Sequence, residues 1–446
     1  VHLKEGQDSS SGGGYSETKL KESTKLIETA LKKSPKDPTL WFQLASVYGN
    51  DPNNFEKATD AFEKALSLAP DYPPILHNYG QFKRLAGDLN GSKELILKAC
   101  KVDPQNANFA FSLAITLLFL EELNSTMKWL KKAVELEPNH NSALVYMAFV
   151  LFFQGKFAKG WEQYESRLNL EEFKGIHFGR PRWDGSQLEG QAVLLLREQG
   201  IGDNIQFIRY AKLVANKGAK VIAVVAKELE ILFKSVDGVS VVVTGLPEPR
   251  FFHRYTPLMS LPHILNTTKK TIPNNTPYMQ APANIVEEWR KKILIHPGYR
   301  VGIAWRGNGK HANDRFRSSS LKEIEKLFSL KGISFFSLMK EVPDLEEKYP
   351  AQLIDLGRNF TDFSDTAGAM ESLDLIITVD TSICHLAGAL GRPVWTMIAK
   401  GNDFRWGLKG KTTDWYPTMR LYRQKQLGDW SDVYKAIKID LKKISK

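Results

Sequence analysis

The sequence predicts an N-terminal α-helical superhelix followed by an α/β region made of two parallel-sheet units. Two observations lead to this fold class. A segment of about 34 residues recurs four times before residue 170. After residue 185, helical periodicity gives way to short apolar runs that alternate with helices. With 446 residues, of which 42% are hydrophobic, the chain exceeds what one core usually supports, so we expect two or three domains.

The N-terminal segment, the apolar stretches and the cysteine content indicate the cellular compartment of the protein. Residues 1–17 include a run of serine and glycine and no apolar signal-peptide stretch, so we expect a flexible leader outside the fold. The longest apolar stretch, 109–120, is shorter than the roughly 20 residues that span a bilayer, which predicts a core helix and no integral membrane segment. Only two cysteines occur, Cys100 and Cys384, which argues against a disulfide framework and favours a cytoplasmic protein.

The charge balance favours an anionic partner. Lys and Arg number 61 against 50 Asp and Glu, a net charge of +11. This excess suits nucleotide phosphates, nucleic acid or acidic membrane surfaces. The sequence has no zinc-ligand cluster, and its aromatic residues follow helical core patterns, so we expect no nucleic-acid partner.

Four prolines mark an internal repeat in the first half of the chain. Pro35, Pro70, Pro104 and Pro138 are spaced 35, 34 and 34 residues apart. An alanine stands five residues before each proline, and an alanine or glycine ten residues after it, which places small residues where two helices approach closely. Each unit is therefore predicted to be a helix-turn-helix closed by proline. The period is that of tetratricopeptide repeats (TPR), and we expect a TPR domain at 18–172.

A repeat of this kind buries its apolar face only by stacking on its neighbours, and the stack forms a superhelix with a concave surface. We expect this groove to bind a protein acceptor or partner. The alternative is a purely structural stack of helical hairpins without a ligand.

The second half predicts two successive α/β units, at 185–295 and 296–446. Residues 258–289 are rich in Pro, Asn and Thr and are predicted to form a linker region that ends in a helix near 285–292. Ligands of parallel sheets bind at the carboxyl ends of the strands, so two such units imply a cleft between them. The predicted strands are 192–196, 221–225, 239–243, 301–304, 334–338, 353–356, 375–379 and 394–398.

The sharpest candidate site follows the predicted strand 375–379, where a helix begins at once. Unpaired backbone N–H groups and the helix dipole at such a terminus bind anions, here a nucleoside phosphate. The alternatives are that one of these side chains simply caps the helix and that the histidine is a core residue. The predicted donor-binding residues in this turn are Asp380, Thr381, Ser382, Ile383, Cys384 and His385.

A second candidate site lies at 198–204. Gly200 and Gly202 allow a tight turn and a close approach to a ligand, and Asp203 stands at the mouth of a helix predicted at 204–217. A dinucleotide-binding fingerprint would need a third glycine at position 205, which is isoleucine. Asp203 is the candidate catalytic residue and Gly202 a donor contact, with Gln206 an acceptor contact. The alternative for Asp203 is a helix N-cap.

The third candidate site is the basic loop at 301–317, which follows a predicted strand. Arginine binds phosphate oxygens bidentately, so a loop with this charge at a sheet edge favours phosphate binding. The alternative is a solvated basic loop. The candidate donor-binding residues are Trp305, Asn308, Lys310, Arg315 and Arg317.

These three segments, together with Arg405-Trp406 and residues 415–424, resemble the bacterial TPR-linked glycosyltransferases related to the heptosyltransferase family and, more distantly, O-GlcNAc transferase. The similarity covers nearly the whole chain after residue 20. The resemblance implies a GT-B fold of two Rossmann-like domains, with the acceptor on the first and the nucleotide sugar on the second.

The resemblance also implies residue roles. The Gly-Asp of the first strand-helix turn, which supplies a proposed general base in heptosyltransferases, matches Gly202-Asp203. The family's donor contacts match Asp380, Thr381 and His385. The residue that binds the donor phosphate is best matched by Arg317, with Lys310 and Arg315 as competitors. One departure falls on the acceptor side. Where the family usually has an acidic residue and a histidine, this chain reads Phe252-His253-Arg254-Tyr255, and His253 and Tyr255 are the remaining acceptor candidates.

The sequence contains no Asp-x-Asp pair and no HExxH or CxxC pattern, so we expect no metal and no cofactor beyond the sugar donor. The predicted function is an inverting, metal-independent transfer of a sugar from a nucleotide sugar to a hydroxyl, on a protein such as flagellin or on a surface glycan. One alternative is a non-catalytic TPR scaffold with a degenerate nucleotide-binding unit. A nicotinamide-dependent oxidoreductase is the other, and it lacks the glycine fingerprint.

Overall fold

The computed structural model describes residues 17–51, 54–170, 173, 178–307, 309, 314–340 and 349–444. The chain divides into two compact units, of which the first ends at Val150 and the second begins at Leu151. Within the described ranges, no helix is long and apolar enough to cross a lipid bilayer.

Antiparallel helical pairs make up the first unit. The first helices of successive pairs begin at Pro38, Pro73, Ala107 and Asn141, in step with the repeat of the sequence, which confirms the predicted helical array. The last helix pair continues into the second unit. The helices are α1 (Glu17–Lys33), α2 (Pro38–Tyr48), α3 (Phe55–Leu68), α4 (Pro73–Leu85), α5 (Leu89–Val102), α6 (Ala107–Phe119), α7 (Leu123–Leu136), α8 (Asn141–Phe153) and α9 (Phe157–Tyr164).

Small residues let the helices of each pair pack closely, as the sequence predicts. Ala65, Ala99 and Ala133 are fully buried. At Gly80 a Cβ atom would lie 2.5 Å from Ile96 Cγ1, so α4 and α5 meet at a distance that leaves no space for a side chain.

At the start of α2, Asp37 accepts hydrogen bonds from the first-turn N–H groups, including that of Thr39 at 2.8 Å.

The second unit contains two separate parallel sheets. Its strands are β1 (Ala192–Leu196), β2 (Lys220–Val224), β3 (Val239–Val243), β4 (Arg254–Pro257), β5 (Tyr299–Ala304), β6 (Ile333–Ser337), β7 (Leu353–Asp355), β8 (Leu375–Val379), β9 (Val394–Ile398) and β10 (Met419–Arg423). Its further helices are α10 (Ile201–Phe207), α11 (Ala211–Ala215), α12 (Glu230–Phe233), α13 (Leu261–Ile264), α14 (Ala283–Ile293), α15 (Asp314–Arg317), α16 (Leu321–Ile324), α17 (Phe363–Glu371), α18 (Ser382–Ala389) and α19 (Ser431–Ile444).

The strand orders place β1 and β8 inside their sheets. The four-stranded sheet has the order β3-β2-β1-β4 and the six-stranded sheet the order β10-β9-β8-β5-β6-β7. Every pairing in both sheets is parallel. All residues of β8 and β9 are buried, which explains why they appear in the sequence as uninterrupted apolar runs. The parallel α/β region predicted after residue 185 is therefore present.

Two strands and one helix start differ from the sequence prediction. β4 and β10 were not predicted, because both are short edge strands that contain arginine. The helix predicted at 204–217 begins earlier, at Ile201, and is interrupted by a 3₁₀ turn at Ile208–Tyr210. Within the predicted linker region 258–289, α13 is a helix that was not predicted, whereas α14 is the helix predicted near 285–292.

The contact at Gly80 predicts a local loss of stability. Gly80→Val places branched carbons against Ile96 and should destabilise the α4–α5 pair by about 2 kcal/mol, the usual cost of overpacking a filled core. Amide hydrogen exchange should accelerate in α4 and α5. Lys64→Val, on the exposed face of α3, is the control and should cost only about 0.5 kcal/mol of helix propensity. Unchanged exchange in α4 and α5 would contradict the close packing.

Candidate functional site

Two strand-to-helix junctions form the candidate site. The first leads from β1 into α10, and Gln199 between them has a positive φ of 56°, an uncommon conformation for a residue with a side chain. Gly200 is extended and precedes the first helical residue, Ile201. The second junction leads from β8 through Asp380 into α18. Both junctions lie at the carboxyl ends of their strands, where parallel sheets bind ligands.

The first turns of α10 and α18 touch each other through a glycine. A Cβ atom at Gly202 would lie 2.7 Å from Cδ2 of His385 and 3.5 Å from Cα of Ser382. Only a residue without a side chain allows this approach. The structure thus brings together predicted site residues that are far apart in the sequence.

Both carboxylate oxygens of Asp203 have partners. Oδ2 accepts a hydrogen bond from the backbone N–H of Gly200 at 3.0 Å, so Asp203 stabilises the start of α10 from its third position, whereas the N-cap residue itself is Gly200 and not Asp203. Oδ1 forms an ion pair with the guanidinium of Arg405. The second contact joins residues 202 positions apart, and the sequence analysis gave Arg405 no role.

Arg405 is buried between two carboxylates and two aromatic rings. Its Nη1 lies 2.8 Å from a carboxylate oxygen of Asp403, and its backbone N–H donates to the other oxygen of Asp403 at 2.9 Å. The guanidinium lies over the rings of Phe207 and Phe404, with 5.4 and 4.9 Å to the ring centroids. Its Nε is buried and has no hydrogen-bond partner among the described residues.

Asp380 and Thr381 begin α18. The Thr381 hydroxyl accepts from the N–H of Ile383 at 3.3 Å, so Thr381 is the capping residue. Burial and the nearby Asp403 carboxylate raise the pKa of Asp380 above its ordinary value, against the opposite effect of Arg317 and Arg405. The N–H groups of Ile383 and Cys384 are bonded to Thr381, so it is the helix dipole and the guanidiniums of Arg317 and Arg405 that make this terminus suited to an anion.

His385 is a buried, neutral ring. Its Nδ1 lies 2.9 Å from the hydroxyl of Tyr416, and its ring centroid is 5.4 Å from that of Trp406. Burial, with the positive charge of Arg405, holds the pKa of His385 well below its ordinary value. The histidine therefore packs α18 against residues 404–406 and serves as a hydrogen-bond partner rather than as a cation.

A metal ion has some ligands here but an unfavourable charge environment. Asp380, Cys384 and His385 offer ligand atoms that lie within 4.8 Å of one another. The Cys384 thiol, however, donates to the carbonyl of Thr381 at 2.9 Å, and burial raises its pKa well above the ordinary value, so the thiolate that would bind a metal is disfavoured. Arg317 and Arg405 add positive charge beside the cluster. The arrangement suits an anion better than a cation.

The predicted basic loop is only partly described. Asn308 and Lys310 lie outside the described residues. Nη2 of Arg317 pairs with Asp314 at 2.9 Å, while its buried Nε has no partner in the described part of the chain. Arg315 is exposed, and its guanidinium lies over the Phe316 ring.

Trp305 is 1% exposed, and its ring centroid lies 5.9 Å from that of Tyr349. Its ring is therefore packed in the core. This burial gives the predicted donor contact of Trp305 no support.

The predicted acceptor residues are not gathered at one place. Gln206 is fully buried, and neither polar atom of its amide has a partner among the described residues. His253 pairs with Ala192 at the amino end of β1, where its Nδ1 accepts the Ala192 N–H at 3.1 Å. The ring of Tyr255 packs against Phe178 at 4.9 Å. His253 and Tyr255 thus lie away from the carboxyl end of β1, and their positions give the acceptor role no support.

Two further buried arginines hold the site in place, and sequence analysis missed both. Arg167 pairs bidentately with Glu198 at the end of β1, with both N–O distances at 3.0 Å. Arg209 donates to the carbonyl of Trp415 at 2.7 Å and to the hydroxyl of Tyr278 at 3.0 Å. Arg209 alone carried a signal in the sequence, because its charge interrupts the otherwise apolar run 207–211.

Arg209 also stacks on aromatic rings. Its guanidinium lies 4.5 Å from the ring centroid of Tyr416 and 4.7 Å from that of Tyr278. Burial opposes the positive charge, but the interactions with Tyr278 and Tyr416 raise the pKa of Arg209 above its ordinary value. The cation therefore links the segment after α10 to residues 415–416 of the second sheet's region.

The contact at Gly202 predicts an inverted effect of alanine. In an exposed helix, Gly→Ala stabilises by about 1 kcal/mol, whereas here the Cβ atom would clash with His385. We expect Gly202→Ala to destabilise the junction by about 1–2 kcal/mol, with faster hydrogen exchange in both α10 and α18. Gly245→Ala is the matched control, since no atom lies within 4 Å of its Cβ position. Slower exchange in Gly202→Ala would show that the helices do not touch.

Comparison with known proteins supports the repeats directly. Residues 38–72 match the family described as tetratricopeptide repeat. The protein FlbA of Caulobacter vibrioides is 24% identical over 441 residues, which cover 92% of this chain and 68% of FlbA. Protein O-mannosyl-transferase TMTC3 of Homo sapiens is 28% identical over 128 residues, which cover 28% of this chain and 14% of TMTC3.

Solved structures add little to this. MamA from Desulfovibrio magneticus RS-1 is 16% identical, with a TM-score of 0.33, and the match covers 35% of this chain and 88% of MamA. A TM-score at this level carries no argument about function. The helical pairs of the first unit are therefore described as tetratricopeptide repeats on the strength of the family match and the repeat period.

Proposed function

We propose that the α/β region is a glycosyltransferase of the GT-B type, in which the two parallel sheets belong to two Rossmann-like domains. The enzyme would transfer the sugar with inversion of configuration at the anomeric carbon and without a metal ion. One observation carries the proposal. The first turns of α10 and α18, which follow strands of different sheets, meet at Gly202 and His385 beside the partly buried carboxylates of Asp203 and Asp380 and the buried guanidinium of Arg405. Ligands of parallel sheets bind at the carboxyl ends of the strands, so a nucleotide sugar would lie at this meeting point.

The donor diphosphate would bind at the first turn of α18. The helix dipole attracts anions at this terminus. Arg317 and Arg405 supply positive charge close to Asp380. As the bond to the sugar breaks, charge grows on the leaving phosphate, and preorganised cations stabilise it in the way a metal ion would.

Asp203 would act as the general base. Its carboxylate takes the proton of the acceptor hydroxyl while the hydroxyl oxygen attacks the anomeric carbon and the nucleoside diphosphate leaves with the electrons of the broken C–O bond. Asp203 is 16% exposed, so an acceptor can approach it. Both carboxylate oxygens already accept a hydrogen bond, so the release of one contact would make Asp203 a stronger base toward the acceptor.

The tetratricopeptide repeats would recruit the protein that carries the acceptor, or a partner. Superhelices of this kind bind peptides and proteins in their grooves. In the same proposal, residues 1–17 are a leader, 18–172 form the repeat domain, and 185–295 and 296–446 form the acceptor-side and donor-side domains. The name of TMTC3 refers to protein mannosylation, but because the match covers only 14% of that protein it adds little weight.

A second candidate function is a scaffold that binds a nucleotide sugar without turning it over. The engagement of both Asp203 oxygens favours it, as does the position of His253 and Tyr255 away from the strand ends. In that case the repeats would recruit a client and the α/β region would report donor binding.

Turnover separates the two functions. The full chain is incubated with UDP-, GDP-, ADP- and CMP-linked sugars, and released nucleotide is measured. We expect one donor class to be hydrolysed slowly, and Asp203→Asn to lower the rate by about 10²–10⁴-fold, the usual contribution of a general base, while the nucleotide still binds. Nucleotide binding without any release would support the scaffold. Loss of nucleotide binding in Asp203→Asn would refute the general-base role.

A further inference from the structure

We propose that Arg405 is a positioning residue shared between Asp203 and the donor, so that donor binding activates the base. In the unliganded protein Arg405 holds Oδ1 of Asp203. When a diphosphate binds at α18, the guanidinium moves its Nη2 hydrogen bond to a phosphate oxygen and leaves Oδ1 free to accept the proton of the acceptor hydroxyl. This inference rests on the proposed function and concerns the same site.

The two carboxylates hold Arg405 unequally. Asp403 binds both Nη1 and the backbone N–H of Arg405, and its side chain is 9% exposed. Asp203 binds Nη2 only, and its side chain is 16% exposed. Asp403 thus anchors the arginine, whereas the contact with Asp203 can be exchanged, because water or an acceptor can reach its carboxylate.

The buried Nε of Arg405 is a donor without an acceptor. The Arg405 side chain is 4% exposed, and Nε has no hydrogen-bond partner among the described residues. A buried, unpaired N–H of a charged group costs free energy. Two oxygens of a phosphate can accept from Nε and Nη2 together, which is the bidentate geometry that guanidinium groups favour.

Arg405 lies within reach of the first turn of α18. The ring of Trp406 packs on His385, which is in that turn. Gly202, the neighbour of Asp203, touches Ser382 and His385 from the other side. A diphosphate bound at the first turn of α18 would therefore lie next to Arg405 and next to Asp203, with which it competes for Arg405.

Competition of this kind has a measurable signature. Because Asp203 holds the guanidinium in most molecules, only a fraction of the molecules is ready to bind the anion at any time. The apparent affinity is reduced by that fraction. Asp203→Asn removes the negative charge that competes, so it should tighten binding of the nucleoside diphosphate about tenfold, the ratio that one charge-assisted hydrogen bond supports. A residue that merely stabilises the fold would not tighten binding when it is lost.

The experiment measures binding of ADP, GDP and UDP to the full chain by calorimetry. Arg405→Gln should weaken binding about tenfold, and Arg405→Lys should weaken it less because the charge is kept. In the Arg405→Gln background, Asp203→Asn should have no effect. Asp237→Asn is the matched control for the change in net charge, since Asp237 forms an exposed pair with Lys212, and it should leave binding unchanged.

Each outcome decides one question. If the wild-type protein binds none of the three nucleotides, the proposed function fails, and this inference fails with it. If the wild-type protein binds one of them but Asp203→Asn binds it no more tightly, the donor site stands and the shared role of Arg405 is overturned. Should Arg405→Gln not fold, the Arg405→Lys background replaces it, because there the gain in affinity from Asp203→Asn should shrink if the carboxylate and the anion share the arginine.

Discussion

The contact between the first turns of α10 and α18 is the constraint on which the candidate site depends. It exists because residue 202 has no side chain, so that the ring of His385 can lie against the backbone of α10. Each helix follows a strand of a different sheet, and the contact therefore fixes the carboxyl ends of β1 and β8 beside each other. Asp203 and Asp380 enter one charged cluster as a consequence.

The cluster around this contact is costly to bury. Arg405 with Asp203 and Asp403, Arg167 with Glu198, and the isolated cation Arg209 are removed from water within one region. Well-packed apolar residues of similar volume often stabilise a fold as well as buried ion pairs do. Stability alone therefore does not account for so many charges at the strand ends, whereas the proposed binding of an anion and transfer of a proton there would.

The sequence predicted the parts of this fold that local patterns determine. The bounds of β1, β8 and β9 agree with prediction because buried parallel strands are continuous apolar runs. Those of β3 agree because its valines form an apolar run, although the strand is at an edge and not buried. β4 and β10 were not predicted from the sequence, because both are edge strands in which arginine interrupts a short apolar pattern. The pairing of Asp203 with Arg405 could not be predicted from spacing, since periodicity reports neighbours along the chain and these residues are 202 positions apart.

The most direct measurement is a crystal structure of the full chain with the nucleoside diphosphate that binds it. The account predicts the diphosphate at the first turn of α18, with Arg405 bonded to a phosphate oxygen and Oδ1 of Asp203 released. A nucleotide bound elsewhere, or one that leaves the pair between Asp203 and Arg405 intact, would contradict it.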